Sequence, residues 1–181
     1  MQLMVFSGLV AVLVWLCRHQ LRNPRCHGFY RFFAFAGIAW LLVYRVEYWH
    51  DGLTNAQQLV STLLMLLSLG MIIASVLEFR LRGGHRETSK PPENFKFENT
   101  GNLVTTGVYR YIRHPMYTSL LLLAWGIFLK QFTWPGLIVV AGISLALYLT
   151  ARFEEGENLA FFGEAYERYC RSSKLFLPFL I

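Results

Sequence analysis

Two arginines, one histidine and three tyrosines crowd into Tyr109-Arg-Tyr-Ile-Arg-His-Pro-Met-Tyr117, where a Gly-bearing polar loop gives way to an apolar run. Proline is well tolerated in the first turn of a helix, because its missing N–H would have no intrahelical partner there. Pro115 therefore predicts the start of a buried helix, with Arg110, Arg113, His114 and the tyrosines at its mouth. Such a mouth offers unpaired backbone N–H groups and the positive end of the helix dipole, which suits an anionic or polar ligand. A second polar cluster, Arg152-Phe-Glu-Glu155, stands just after a later apolar run. The same residues would also serve as interfacial anchors, arginines on the cytoplasmic side and tyrosines at headgroup level. His114 fits that account least, since an imidazole at a helix mouth anchors nothing.

The elements that must carry these clusters are apolar. Of 181 residues, 55% are hydrophobic and only 15% charged, well below the quarter charged that is usual for soluble domains. The apolar residues collect into about five runs, near 3–16, 32–48, 59–79, 116–129 and 136–149, each close to the length that crosses a ~30 Å hydrocarbon layer. The expected fold is all-α: a polytopic membrane helical bundle with about five transmembrane helices and a C-terminal cytoplasmic amphipathic helix. Residues 1–81 would form an N-terminal unit of three spans, and 82–181 a core of loop, transmembrane hairpin and terminal helix. The first run has no basic segment before it and no small-x-small site after it, so it is expected to be a retained span.

Lys and Arg lie mainly between the first two runs, between the third and fourth, and after the fifth. With five spans all three basic segments fall on one side, which the positive-inside bias makes cytoplasmic, leaving the N-terminus outside. The formal charge of +6 thus marks orientation. No separate basic domain exists to bind nucleic acid. The tight turn Gln131–Pro135 makes the last two runs an antiparallel hairpin, which returns the chain from Pro115 to Arg152 on the same side and so joins the two polar clusters in one pocket.

Other polar residues read as structural. Ser61, Ser68 and Ser75 recur every seven residues in the third run, with Gly70 and Ala74 four apart, as in close helix packing within lipid. Arg45 and Glu47 stand beside Tyr48 and Trp49 as an interfacial anchor. Residues 82–101, rich in Gly, Pro and charge, read as a loop. Beyond Leu149 an amphipathic helix is expected, bent near Gly163, with Leu159, Phe162, Tyr166 and Tyr169 on one face. Cys17, Cys26 and Cys170 form no CxxC or Cys/His ligand spacing, so neither a disulfide nor a metal site is expected.

Leu103-Val-Thr-Thr-Gly-Val-Tyr109, Arg113-His-Pro-Met-Tyr117, Glu154-Glu155, Phe161-Phe-Gly-Glu-Ala-Tyr166 and Leu177-Pro-Phe, in that order, resemble the isoprenylcysteine carboxyl methyltransferase family. The resemblance covers about residues 94–181 and extends to phospholipid methyltransferases. It implies an integral membrane enzyme that uses S-adenosyl-L-methionine without a Rossmann domain. It also implies cofactor contacts at Asn94, Gly101, Asn102, Leu103, Val104, Tyr109, His114, Pro115, Met116, Tyr117, Glu154 and Glu155. Relatives carry an Arg four or five residues before the key Glu, acting on the substrate. This chain has Thr150 and Ala151 there and offers Arg152, so Glu155 and Arg152 are the expected catalytic pair.

The chemistry suits these residues. Methyl transfer is an in-line displacement, and the enzyme's work is alignment and desolvation. Glu155 would pair with the cofactor's cationic groups, Arg113, His114 and helix-mouth N–H groups with its carboxylate, and Tyr109 and Tyr117 with its adenosine. The type reaction, methylation of a prenylated cysteine carboxylate, needs no base, only an Arg to orient the acceptor. Phospholipid amines and small thiols are alternative acceptors, and each must lose a proton. An NADPH-dependent sterol-type reductase and a non-catalytic membrane scaffold are readings of other classes. The lipid bilayer is the one partner expected in every case.

Overall fold

A computed structural model of the chain describes residues 1–49, 55–84 and 101–177. The described residues form six α-helices: α1 (Gln2–Leu16), α2 (His27–Arg45), α3 (Ala56–Arg82), α4 (Pro115–Phe128), α5 (Trp134–Phe162) and α6 (Glu164–Ser172). No strand occurs among them, only an isolated parallel bridge between Ile112 and Lys174. The helices start as the sequence dictates. Asn55 caps α3 by accepting from the Gln57 N–H, and Thr133 caps α5 by accepting from the Gly136 N–H. Pro115 opens α4.

Three helices are long and apolar enough to cross a bilayer: α2 with its following turn (His27–Tyr48), α3 and α5. The other two apolar runs make shorter helices, 15 residues in α1 and 14 in α4, or roughly 21–22 Å at 1.5 Å per residue. The fifth run is longer than its hydropathy indicates. Nothing breaks the helix at Leu149, so α5 continues for 29 residues to Phe162 and carries Arg152, Glu154 and Glu155 on its last turns. The chain then turns at Gly163, whose φ of +57° favours glycine. The amphipathic segment expected after Leu149 is therefore divided between the end of α5 and the separate α6, which buries Tyr166 and Tyr169.

Packing pairs α3 with α4 and α2 with α5, so the first three helices interdigitate with the last three. The core lies between α2, α4 and α5, built from Ala34, Ile38 and Leu41, Ala124, Ile127 and Phe128, and Val140, Ile143 and Leu147. Helix α3 is turned inside out relative to a soluble helix. Its buried residues are Gln58, Ser61, Ser68 and Ser75, while Leu59, Leu63, Leu66, Leu67 and Leu69 face outward. Ser61 donates to the Gly126 carbonyl at 2.7 Å and Ser68 to the Ser119 carbonyl at 2.7 Å, stitching α3 to α4. Polar atoms inside and leucines outside is the arrangement that lipid selects. The protein is an integral membrane protein. Gly70 does not take part in this seam, having open space where a Cβ would stand.

Arg45 is not an exposed anchor. It is buried, donates to Gln131 at 2.6 Å and to Thr133, and lies over the Trp40 ring, pinning the end of α2 to the α4–α5 turn. Gln57 and Gln58 donate to the carbonyls of Leu129 and Lys130 at the same end. That end is closed by hydrogen bonds, and the candidate functional residues gather at the opposite end.

Candidate active site

The loop 101–110 is docked on the last turn of α3. Asn102 donates its N–H to the Gly83 carbonyl at 3.0 Å, and Thr106 donates its hydroxyl to Glu78. Glu78 also pairs with Arg82 at 2.8 Å. Gly107 has φ +57°, and a Cβ there would stand 2.8 Å from the Glu78 carboxyl carbon, so both backbone and space call for glycine. Beyond it the Tyr109 ring stacks on Phe79, centroids 6.1 Å apart.

From the other direction the C-terminal segment straps the motif in place. Arg113 and His114 donate their N–H groups to the carbonyls of Lys174 (2.7 Å) and Leu175 (3.2 Å), and Lys174 donates back to Tyr111 at 2.9 Å. Thr118 donates to the Phe176 carbonyl, and Tyr169 donates its hydroxyl to the Tyr109 carbonyl. The backbone N–H groups at the mouth that looked available to a ligand, those of Arg113 and His114, are therefore committed to the strap.

The hairpin brings the two polar clusters together, and helix geometry then separates Glu154 from Glu155. Successive helical residues point about 100° apart, so the two carboxylates serve different partners. Glu155 is held between two guanidinium groups, Arg113 Nε at 2.6 Å and Arg152 Nη1 at 2.8 Å. Arg113 reaches further, to the carbonyls of Cys170 and Ser173. Glu154 instead accepts from the Tyr117 hydroxyl at 2.5 Å and lies 3.7 Å from His114 Nδ1.

Two clefts flank the Arg113–Glu155 pair. The narrower, about 60 Å³, is lined by Asn102, Leu103, Val104, Tyr109, Arg113 and Glu154, joined by Phe79, Asn158, Phe162, Tyr166 and Tyr169. The wider, about 310 Å³, is lined by Arg113, Tyr148, Arg152, Cys170, Ser173, Lys174 and Leu175. Arg113 borders both; Glu155 borders neither. His114, Pro115 and Tyr117 are buried and line neither cleft, with the His114 ring stacked on Tyr117 at 5.4 Å. Met116 is half-buried and outside both clefts, as is Gly101. Asn94 lies outside the described residues.

Burial sets the protonation states. It pushes the Tyr109 phenol well above its ordinary range, with Glu154 adding to the rise, so Tyr109 stays protonated. Tyr166 and Tyr169 are raised for the same first cause. Burial lowers the His114 imidazole below its usual value against the opposing pull of Glu154 and Glu155, so His114 is neutral near pH 7.

Sequence reasoning missed Glu78, Phe79 and Asn158, and named neither Tyr166, beyond its place in the Phe161–Tyr166 motif, nor Tyr169 as a site residue. Glu78 had a signal, being the sole acidic residue inside the third apolar run. It also missed a cluster at the start of α2. Cys26, His27 and Glu157 place their ligand-capable atoms within 4.8 Å of one another, although Glu157 stands 130 residues from His27. Cysteine spacing could not reveal a set completed by a distant carboxylate.

Comparison with known proteins identifies the family of the chain. The family model for phospholipid methyltransferase matches residues 56–165. A methanethiol S-methyltransferase of Crocosphaera subtropica is 28% identical over 160 residues, covering 81% of this chain and 59% of that protein. The chain thus spans somewhat over half the length of this curated relative. No solved structure matches it. The matched region runs from the start of α3 through Glu155 and on to Ala165, so it takes in the docked loop, the helix mouth and both carboxylates. The chain belongs to the phospholipid methyltransferase family of membrane methyltransferases.

Proposed function

We propose that the protein is an S-adenosylmethionine-dependent methyltransferase acting on a small thiol, with the cofactor held in the cleft between the 101–110 loop, α5 and α6. The observation that carries this reading is the donor set of that cleft. Glu154 provides a carboxylate for the cofactor's ammonium and sulfonium, and Arg113 a guanidinium for its carboxylate. The stacked Phe79–Tyr109 pair offers an aromatic wall for the adenine, and the amides of Asn102 and Asn158 offer donors and acceptors for the sugar. The residues fit the group, but the space does not yet. About 60 Å³ holds only a few waters, so binding requires the 101–110 loop or α6 to move outward. When bound, S-adenosylmethionine supplies an electrophilic methyl group.

The chain's own residues align and dehydrate. Tyr117 fixes the Glu154 carboxylate through its hydrogen bond, and neutral His114 stacks behind Tyr117 without adding charge. Glu155, clamped by Arg113 and Arg152, sets the position of Arg113 rather than meeting the ligand. The match to a thiol methyltransferase over most of the chain favours sulfur as the acceptor atom. A second reading rests on the wider cleft. Its three cationic side chains, Arg113, Arg152 and Lys174, beside Tyr148 and Leu175, would suit an amphiphile with an anionic head, including a prenylated cysteine carboxylate. The five-span topology, with this end of the bundle cytoplasmic, belongs to the same proposal.

Titration calorimetry of detergent-purified protein tests the cofactor. Heat is expected with S-adenosylmethionine and none with NADPH. Glu154→Gln is expected to weaken binding roughly tenfold to hundredfold, as for a lost charge-assisted hydrogen bond, and Glu155→Gln to act mainly on stability. Absence of heat with S-adenosylmethionine overturns the reading. Mass spectrometry after turnover with an alkanethiol and with a prenylcysteine analogue separates the two acceptors.

A further inference from the structure

We propose that Cys26, His27 and Glu157 form a three-ligand site for a zinc-class divalent ion whose remaining position takes the sulfur of the acceptor thiol. The assignment of the acceptor rests on the thiol reading above; the metal site does not. Three observations carry it. The first is composition: a thiol, an imidazole and a carboxylate are the donor types zinc takes, and three protein ligands with one open position is the arrangement of catalytic zinc.

The second is geometry. The three ligand atoms lie within 4.8 Å of one another, and tetrahedral bonds of 2.0–2.3 Å place ligand atoms roughly 3.3–3.7 Å apart. Small side-chain adjustments therefore suffice. In the present arrangement His27 Nδ1 sits 2.9 Å from Glu157 Oε2, and a metal would displace the proton shared by that pair, as metal binding generally does. Cys26 is not disulfide-bonded, and it stands at the N-cap position of α2, so the backbone of Cys26 and His27 is fixed by the helix start while that of Glu157 is fixed by α5.

The third is position. Cys26 and His27 are buried, whereas the Glu157 side chain is 28% exposed, so the site opens on the Glu157 side. Glu157 is three residues after Glu154 and shares its helix face, and Glu154 borders the cofactor cleft. A thiol acceptor must lose a proton, and the one carboxylate lining either cleft, Glu154, is assigned above to the cofactor's cationic groups. Coordination removes the need for a base. The acceptor's S–H bond breaks as its sulfur binds the metal, the proton leaves to water, and the thiolate is held ready. Its lone pair then forms the new S–CH₃ bond while the sulfonium C–S bond breaks and its electron pair stays on the departing sulfur. The methylated sulfur is a neutral thioether and a weaker ligand, so it dissociates.

Metal content of full-length protein purified with zinc, measured by inductively coupled plasma mass spectrometry, tests the site. Cobalt substitution then reads its ligands. Stoichiometric zinc is expected, with a thiolate-to-cobalt absorption band in the near ultraviolet. Cys26→Ser is expected to abolish the band, and His27→Ala and Glu157→Gln to reduce zinc to background, while Cys17→Ser retains it. Gel filtration in detergent shows which variants remain folded. Zinc at background in the wild-type protein, or unchanged in monodisperse Cys26→Ser and His27→Ala variants, overturns the site. Ethanethiol is expected to intensify the cobalt–thiolate band, and an unchanged spectrum overturns the acceptor assignment. Zinc without calorimetric heat from S-adenosylmethionine supports the site while overturning the cofactor reading. Heat without zinc overturns the site alone.

Discussion

Two arginines share the Glu155 carboxylate, and replacing each should have a different consequence. Arg113 and Glu155 are nearly buried, with side chains 12% and 11% exposed, whereas Arg152 is 57% exposed. Removing one partner of a buried ion pair leaves the other charge uncompensated and costs about 3–5 kcal/mol. An exposed pair contributes about 0–1 kcal/mol. Arg113→Met keeps most of the aliphatic stem but leaves the buried Glu155 with only the exposed Arg152 as its partner, and also frees the carbonyls of Cys170 and Ser173. At 2–4 °C per kcal/mol for a chain of this size, its melting temperature should fall by about 6–20 °C. Arg152→Ala should move it by only a few degrees. The double variant Arg113→Met with Glu155→Leu should recover much of the loss, because an apolar pair carries no stranded charge. Circular dichroism melts of the detergent-solubilised proteins give all four values. If Arg113→Met melts no lower than Arg152→Ala, or if the double variant melts below the single, the buried-pair argument is wrong.

Gly107→Ala should weaken S-adenosylmethionine binding with little change in helix content, since a Cβ at φ +57° meets the Glu78 carboxylate at 2.8 Å and the left-handed conformation itself costs about 1–2 kcal/mol; unchanged calorimetric affinity would count against the docked loop. His114 predicts an acid limb in stability. Its folded proton affinity lies below the unfolded value of about 6.5, so above that pH the folded state keeps its full advantage. As the pH falls toward the lower folded value the unfolded chain gains a proton that the folded chain does not, and stability is lost. Denaturation midpoints at pH 5 to 8 should show this slope, and His114→Gln should flatten it. Arg45→Met, at the closed end of the bundle, removes two charge-assisted hydrogen bonds and should cost about 3 kcal/mol in unfolding experiments while leaving cofactor affinity untouched; a matching loss of affinity would mean that the two ends are coupled.

How much was legible in the sequence follows from how local each signal is. Pro115 and Gly163 mark a helix start and a bend by their own backbone chemistry, and the structure honours both. The serine spacing of α3 declared a packed seam, because a seven-residue repeat returns to one face, but only the fold shows that α4 lies against it. The hairpin that joins Arg113 to Glu155 was readable from a short turn alone. What was not legible depends on rotation and distance. Glu154 and Glu155 are equivalent in composition, and only the phase of α5 assigns one to Tyr117 and the other to Arg113. Glu157 meets Cys26 and His27 because α2 packs on α5, a pairing that no spacing within one segment encodes. The end of α5 was misjudged because hydropathy reports where lipid stops, whereas a helix stops where its backbone is broken.

The strap that ties residues 111–114 to 174–176 has a consequence for biogenesis. Every apolar helix among the described residues precedes residue 163, so the strap residues 174–176 leave the ribosome after all of those helices. The arginine that borders both clefts acquires its carbonyl partners only when Cys170 and Ser173 arrive. A chain cut by a protease or a premature stop near Ser172 would therefore insert and pack its bundle yet lack the finished cleft wall. Translation thus delivers the membrane helices before the strap that completes the cleft wall, and abundance in the membrane is no measure of competent protein.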